Sequence, residues 1–412
     1  MPELSRRGAL AGAMAALAIP AAPAIGQAAA RRSPPPAIGA AERLRRVDLL
    51  QQRMRTLGIG ALLVESGPAL DYFTGVQWGR SERPTAAVFP ASGAPIVITP
   101  FFERPSVAES LKLPFEIRPW QEDESPHALV ADFVRSRGAG RQPIAFEETT
   151  RAFIVDGVRR LLPQAPLADG AALVRPIRMR KSAAELALMQ YATDITVQAL
   201  KATHAQVKLG ETSRDIAARF ERIVTELGGS NSWALVLIDE AAALPHGSGR
   251  PQQVRRGSVV LMDCGCAVGG YQSDVSRTFV WGADPTVEQR RVWGQVRQGQ
   301  AIALAAARLG APAGSVDDAV RRQYEAWGYG PRYALPGLSH RTGHGIGMEG
   351  HEPVNLVHGE ETALAPGMCF SNEPGLYLPG KFGVRLEDCF HMTATGPGWF
   401  SVPPPSIDQP FG

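Results

Sequence analysis

The sequence predicts an α+β protein of two domains, a smaller α/β domain followed by a larger one in which helices pack on a curved antiparallel sheet. Three observations carry that prediction. The chain has 412 residues, 44% of them hydrophobic, enough for two substantial cores. Between Glu42 and Asp169, helix-like stretches alternate with short apolar runs. Beyond Ser182, helical stretches interleave with two pairs of strand-like segments separated by Gly and Pro turn signals.

In chain order, Ser5-Arg6-Arg7-Gly8-Ala9-Leu10 resembles a twin-arginine export signal, and an Ala-rich, weakly apolar stretch follows to about Ile25. That stretch is too short and too broken by Pro to span a bilayer, and the small residues Gly26–Ala30 suit cleavage. Residues 1–30 therefore read as a signal peptide and the mature chain as periplasmic or secreted, with any metal loaded before the folded protein crosses. Ala9 stands where that pattern often has a bulky apolar residue, which leaves an ordinary secretory signal as the alternative. No later run is long and apolar enough to cross a membrane, so no stable insertion is expected after cleavage. Residues 31–40 form a linker around Ser33–Pro36. The first domain, residues 41–172, opens on a helix over Glu42–Leu57 and a buried strand over Ala61–Val64. Strands over Thr85–Phe89 and Pro95–Thr99 and a helix near Pro126–Arg137 follow. The junction lies at Arg175–Arg180. The second domain, residues 173–405, opens with Ser182-Ala183-Ala184-Glu185, a capping box for a helix to about Val207. Further helices fit Ser213–Leu227, Thr286–Leu309 and Ser315–Trp327, with Trp293 and Tyr324 as core residues, and residues 406–412 form a tail.

Five residues of the second domain stand out: Asp263, Asp274, His344, Glu373 and Glu387. Four carboxylates and one imidazole form the oxygen-rich, one-nitrogen ligand set that a pair of divalent cations needs. Such carboxylates cancel much of the charge of two ions and leave positions open for water, whose pKa the metal lowers toward neutrality. Hard oxygen ligands with one imidazole and no thiolate suit manganese, and cobalt, zinc or iron also fit. Ser258–Cys264 is apolar and bounded by Gly257 and Gly265, so it reads as a buried strand delivering Asp263. Gly269-Gly270 make a turn and Tyr271–Val280 returns with Asp274 within it, which brings the two aspartates together on a hairpin. A second pair, Met368–Glu373 and Gly383–His391, sets Glu373 opposite Glu387. Arg385 shares the Glu387 face because strand side chains alternate. Gly343–Gly347 reads as a loop whose glycines permit close backbone approach.

The ordered series MDCG, YQSDVSRTF, HRTGHGIG, GHEP, NEPG and VRLED, within Arg175–Thr393, resembles the pita-bread metallopeptidases of the creatinase, aminopeptidase P and prolidase branch. Creatinase itself lacks the metal ligands found here. The resemblance implies a pita-bread catalytic domain preceded by a creatinase-type α/β domain that supplies dimer contacts, and so a homodimer. It implies two divalent ions and hydrolysis of the bond before proline in short peptides, by an aminopeptidase P or a prolidase. By the same likeness, His246 in Leu-Pro-His-Gly lines the substrate pocket and moves a proton. His351 in Gly-His-Glu-Pro stabilises the tetrahedral intermediate or holds the carbonyl, and His340 lies near the scissile proline. Glu373 would take the proton of the attacking water, and Arg385 would hold a ligand carboxylate or a substrate group.

Two alternatives stand beside that reading. The same fold and ligand set could serve a small non-peptide substrate, as in creatinase-, ectoine hydrolase- or sulfonium lyase-like relatives, because fold does not fix substrate. A non-catalytic pita-bread binding module is the other, and the intact ligand set speaks against it. His127, His204, His358 and His391 sit in no usable motif and read as structural. The net charge of +3 is small and arginine far outnumbers lysine along the whole chain, so Arg255-Arg256 is not read as a nucleic-acid patch. Cys264 and Cys266 are too close in sequence for an easy disulfide. Cys369 and Cys389 flank the second strand pair and either approach one another or remain buried thiols.

Overall fold

The computed structural model describes residues 33–411; the predicted signal peptide lies outside them. The N-terminal domain is a mixed six-stranded sheet. Its strands are β1 (Ala61–Glu65), β2 (Ala86–Pro90), β3 (Ile96–Pro100), β4 (Glu116–Trp120), β5 (Ile144–Phe146) and β6 (Leu167–Asp169). They are ordered β4-β3-β2-β1-β5-β6. Helices α1 (Ala40–Leu57), α2 (Pro68–Thr74), α3 (Arg104–Ser110), α4 (Pro126–Ser136) and α5 (Ala152–Leu161) cover it. Strands β1, β2 and β3 are buried at every position, so they carry apolar residues without alternation.

The junction predicted at Arg175–Arg180 is instead mostly helical, because α6 (Ala171–Arg178) runs through it with Pro176 inside. A proline there cannot donate to the carbonyl four residues back. Arg53 of α1 supplies the missing partner, donating from Nη2 to the Ala172 carbonyl at 2.7 Å. The helix is thus completed by the preceding domain.

The catalytic half begins with α7 (Ala183–His204), and both reciprocal bonds of the Ser182/Glu185 capping box are present. Next come α8 (Ser213–Leu227), capped by Thr212 and Asp215, α9 (Val287–Ala306), capped by Thr286 and Gln289, and α10 (Gly314–Ala326). They pack on two antiparallel sheets. In the first, β7 (Ser230–Ile238) and β10 (Val275–Val280) flank β8 (Val259–Val268), and β9 (Tyr271–Gln272) pairs with the end of β8. The second has the order β12-β11-β13-β16-β17. Its members are β11 (Gly343–Gly345), β12 (Glu352–Leu356), β13 (Cys369–Phe370), β16 (Phe390–Thr393) and β17 (Gly396–Trp399). A separate hairpin joins β14 (Leu376–Leu378) to β15 (Phe382–Val384). Trp293 and Tyr324 are buried core residues, as their helical spacing predicts.

Three local expectations change. Gly343–Gly345 is a strand rather than a loop, pairing with β12 on one side and β13 on the other. A Cβ on Gly343 would lie 2.1 Å from the Ser371 carbonyl oxygen, so only glycine lets these backbones approach. Asp274 falls in the break between β9 and β10 rather than within one returning strand. Glu373 and Glu387 lie just beyond the regular β13/β16 ladder, although Asn372 and Asp388 still exchange backbone hydrogen bonds beside them. Strand β7, with its half-exposed, mixed sequence, carried no readable signal.

One hydrophobic core runs across both domains, with Leu50 and Phe73 from the first and Leu188, Tyr271 and Ile346 from the second. The seam beside it is polar. Arg46 of α1 lies 3.5 Å from Glu185 and donates to the Tyr271 hydroxyl, while Ser182 donates to Glu42 at 2.6 Å.

Candidate metal centre

The two sheets of the catalytic half meet at Ser276 and Glu387, which exchange backbone hydrogen bonds of 3.2 and 3.1 Å. That stitch brings Asp263 and Asp274 of one sheet against His344, Glu373 and Glu387 of the other. Every residue predicted for the site, including His246, His340, His351 and Arg385, lines one cavity of about 910 Å³. The side chains of Asp274, His344 and Glu387 each place one ligand atom within 4.8 Å of the others. His344 Nε2 lies 3.3 Å from Glu373 Oε1 and 3.8 Å from Asp274 Oδ2. Its Nδ1 lies 3.1 Å from the Gly345 carbonyl, which places the proton on Nδ1 and leaves Nε2 as the donor atom a metal would use.

The electrostatics of this cluster favour a cation. Burial pushes the Asp274 and Glu387 carboxyls well above the usual carboxylate range, and the charges of neighbouring carboxylates push them further. Asp274 Oδ1 and Glu387 Oε1 are buried and have no hydrogen-bond partner among the described residues. Unpaired buried carboxylate oxygens are costly unless they bind a proton or a metal. A hard divalent cation matches both the charge and the oxygen-rich donor set, so these residues fit such an ion.

Behind the ligands, Ser276 Oγ lies 2.8 Å from Asp263 Oδ1 and 2.9 Å from Glu387 Oε2, and accepts from Arg385 Nε at 3.1 Å. Arg385 also pairs with Asp263 and donates to the Pro245 carbonyl at 3.1 Å. It therefore holds the candidate ligand Asp263 and the segment carrying His246 at the same time. Arg277 is fully buried against Asp388 and donates to the Glu387 carbonyl at 3.0 Å. In front, Gly265 lets the Trp233 ring reach the cavity wall, since a Cβ there would sit 2.6 Å from its Nε1.

The outer histidines differ sharply. His351 stacks against His344 with ring centroids 4.0 Å apart. Burial first, then the neighbouring His344 and Arg341, pull its pKa down to about 4, so it is neutral at pH 7. His340 has both ring nitrogens engaged. Arg385 Nη1 donates to the Tyr377 hydroxyl, which is 2.7 Å from His340 Nε2, and Nδ1 lies 2.7 Å from the Arg341 carbonyl. With the tyrosine proton directed to Nε2, Nδ1–H goes to that carbonyl.

Several participants escaped the sequence. Arg341 lines the cavity beside His340, and its guanidinium has no hydrogen-bond or ion-pair partner among the described residues. Its loop is fastened from α10. Asp317 accepts from Thr342 N and Oγ1 at 3.0 and 2.7 Å, and Arg321 donates to the carbonyls of Leu338 and His340. In sequence, Asp317 and Arg321 are an i,i+4 pair like any solvated helix pair; only their burial marks them. All four cysteines are free and buried, and Cys389 Sγ donates to the Asp274 carbonyl at 3.3 Å. None of His127, His204, His358 and His391 reaches the cavity.

Comparison with known proteins agrees with the geometry. Residues 187–394 match the metallopeptidase family M24, and residues 46–180 match the creatinase/prolidase N-terminal domain. A protein named probable dipeptidase PepE from Mycobacterium tuberculosis is 32% identical over 370 residues, covering 85% of this chain and 92% of that protein. A Xaa-Pro dipeptidase from Lactobacillus helveticus is 30% identical, over 85% and 95% of the respective chains. The crystal structure of dipeptidase PepE from Mycobacterium ulcerans superimposes with a TM-score of 0.82 at 29% identity, covering 90% of this chain and 98% of that one.

Proposed function

This chain belongs to metallopeptidase family M24, and from that premise we propose that it is a dinuclear, manganese-dependent Xaa-Pro peptidase. It hydrolyses the bond before proline in short peptides. The observation that carries this reading is the convergence of Asp263, Asp274, His344, Glu373 and Glu387 with His246, His351 and Arg385 on a single cavity. When bound, the ions supply positive charge that polarises the scissile carbonyl and lowers the pKa of a water nucleophile.

The protein's own groups then divide the work. Glu373 lines the cavity, and its Oε1 accepts from Ser371 Oγ at 3.2 Å, which helps orient the carboxylate to take the proton of the attacking water. Neutral His351 donates an N–H to the carbonyl oxygen as negative charge develops there. His246, on the segment held by Arg385, passes the proton toward the leaving proline nitrogen. Arg385 acts through Asp263, and His340 acts by bracing the wall through Tyr377.

His351→Ala is expected to retain metal, measured by elemental analysis, while kcat falls by roughly 100-fold, the scale of losing one transition-state donor. Loss of metal in that variant would reassign His351 to the metal shell.

The reading is tested by hydrolysis of a Xaa-Pro dipeptide and a longer Xaa-Pro peptide by the purified protein, with and without added manganese. Manganese-dependent cleavage of either is expected. Cleavage of neither by metal-loaded protein would transfer the site to a small non-peptide substrate.

A further inference from the structure

Among the described residues, Arg341 is the arginine of the catalytic cavity whose guanidinium has no hydrogen-bond or ion-pair partner. Arg385 is spent on Asp263, Ser276, Pro245 and Tyr377. Both nitrogens of His340 are bonded within the protein. Arg341, between the half-buried His340 and the buried Thr342, keeps its guanidinium free of protein partners among the described residues at the cavity wall. A guanidinium presents a rigid fork of donors that matches a carboxylate with two parallel hydrogen bonds.

We propose that Arg341 is the specificity residue of the site, receiving the free α-carboxylate of a dipeptide and making the enzyme a dipeptidase. The proposal rests on the peptidase reading above and refines it. Two further observations support a rigid anchor. The Arg341 carbonyl is tied to His340 Nδ1 at 2.7 Å, so the backbone that carries the guanidinium is held at its own residue. The residues on either side are tied to α10, His340 through its carbonyl to Arg321 and Thr342 through its amide and hydroxyl to Asp317. Preorganisation of this kind reduces the ordering lost when a charged ligand binds. A substrate extended beyond proline replaces the carboxylate with an uncharged amide and forfeits the charge-assisted pair.

The test compares a Xaa-Pro dipeptide with its C-terminal amide in the wild type, Arg341→Met and Arg341→Lys, with metal content measured in each. In the wild type the dipeptide should be preferred in kcat/KM by roughly 10- to 100-fold, the range of a hydrogen bond to a charged group. Arg341→Met should raise KM for the dipeptide by a similar factor, leave KM for the amide within about threefold, and erase the preference. Arg341→Lys should restore part of it, as a charge without the fork. A second readout needs no turnover. Calorimetric binding of proline should weaken in Arg341→Met, and binding of prolinamide should not.

A wild type that cleaves acid and amide alike overturns the anchor and leaves the peptidase standing. So does an equal loss on both substrates in Arg341→Met at normal metal content. Were that variant insoluble, the wild-type preference and proline binding by Arg341→Lys would still decide. A wild type that cleaves neither compound overturns the peptidase reading and the anchor with it.

Discussion

Replacing Asp274 with Ala is expected to remove bound metal and activity together. Asp274 is buried in the break between β9 and β10, shares the 4.8 Å cluster with His344 and Glu387, and has one carboxylate oxygen with no protein partner. Outer-shell partners of metal ligands already contribute about 10- to 100-fold in affinity or activity, so under the proposed dinuclear reading a ligand shared by both ions should be worth on the order of 10³-fold or more. Elemental analysis and peptidase assays on the same sample check both halves, and near-normal activity would refute the dinuclear assignment. The stability of the metal-free protein should move the other way. In chelator, the wild type holds Asp274 beside Asp263, Glu373 and Glu387 with too few cations, and deleting one member relieves that repulsion. The midpoint of thermal unfolding should then be higher in Asp274→Ala than in the wild type, and the order should reverse in excess manganese.

The second large effect lies at Glu352. Its carboxylate is buried between Lys181, 3.0 Å away, and Arg178, and also accepts from the amides of Met348 and Glu349. The two cations belong to the segment entering the catalytic half, and the amides to the turn before His351, so one carboxylate ties the domain junction to the active-site rim. Glu352→Gln leaves two buried cations facing a neutral amide and is expected to destabilise the fold by about 3–5 kcal/mol, the scale of breaking a buried pair on one side. Burial acts to raise the Glu352 pKa, but Lys181 and Arg178 overcome it and hold the carboxyl at about 2, against 4.5 ordinarily. A lowered folded-state value stabilises the protein above pH 4.5, and that contribution fades as pH falls from about 4.5 to about 2. The gap between wild type and Glu352→Gln in urea unfolding should therefore be full at pH 7 and narrow toward pH 2. A gap of constant size would place its origin in packing rather than charge.

Much of this was legible because it is local. The capping box at Ser182 and Glu185 forms as written, since it needs only residues three apart. The helix over Ser213–Leu227 matches its expected bounds because Thr212 and Gly228 mark its ends by side-chain capping and by a left-handed turn. The candidate ligand set was readable because each member sits in a short motif of its own. Strand β11 was not readable. Nothing in Gly-His-Gly signals a strand, and only the backbones of β12 and β13 on either side make it one. Helix α6 was missed for a similar reason, since its internal proline is tolerated only because Arg53, from the other domain, satisfies Ala172.

By itself, then, the sequence determined the candidate metal-site residues that line one cavity, the two-domain pita-bread class and the helices whose caps are local, because those depend on residue type and short spacing. Only the tertiary structure decided which charged side chains are already engaged. Arg385 and Arg341 are alike as letters, yet one is consumed by Asp263, Ser276 and Tyr377 and the other faces the cavity free. The same holds for His340 and His351, one with both nitrogens bonded and the other kept neutral beside His344. Hydrogen-bond partners far apart in sequence, burial and the field of neighbouring charges set those differences, and they exist only once the two sheets have closed around the site.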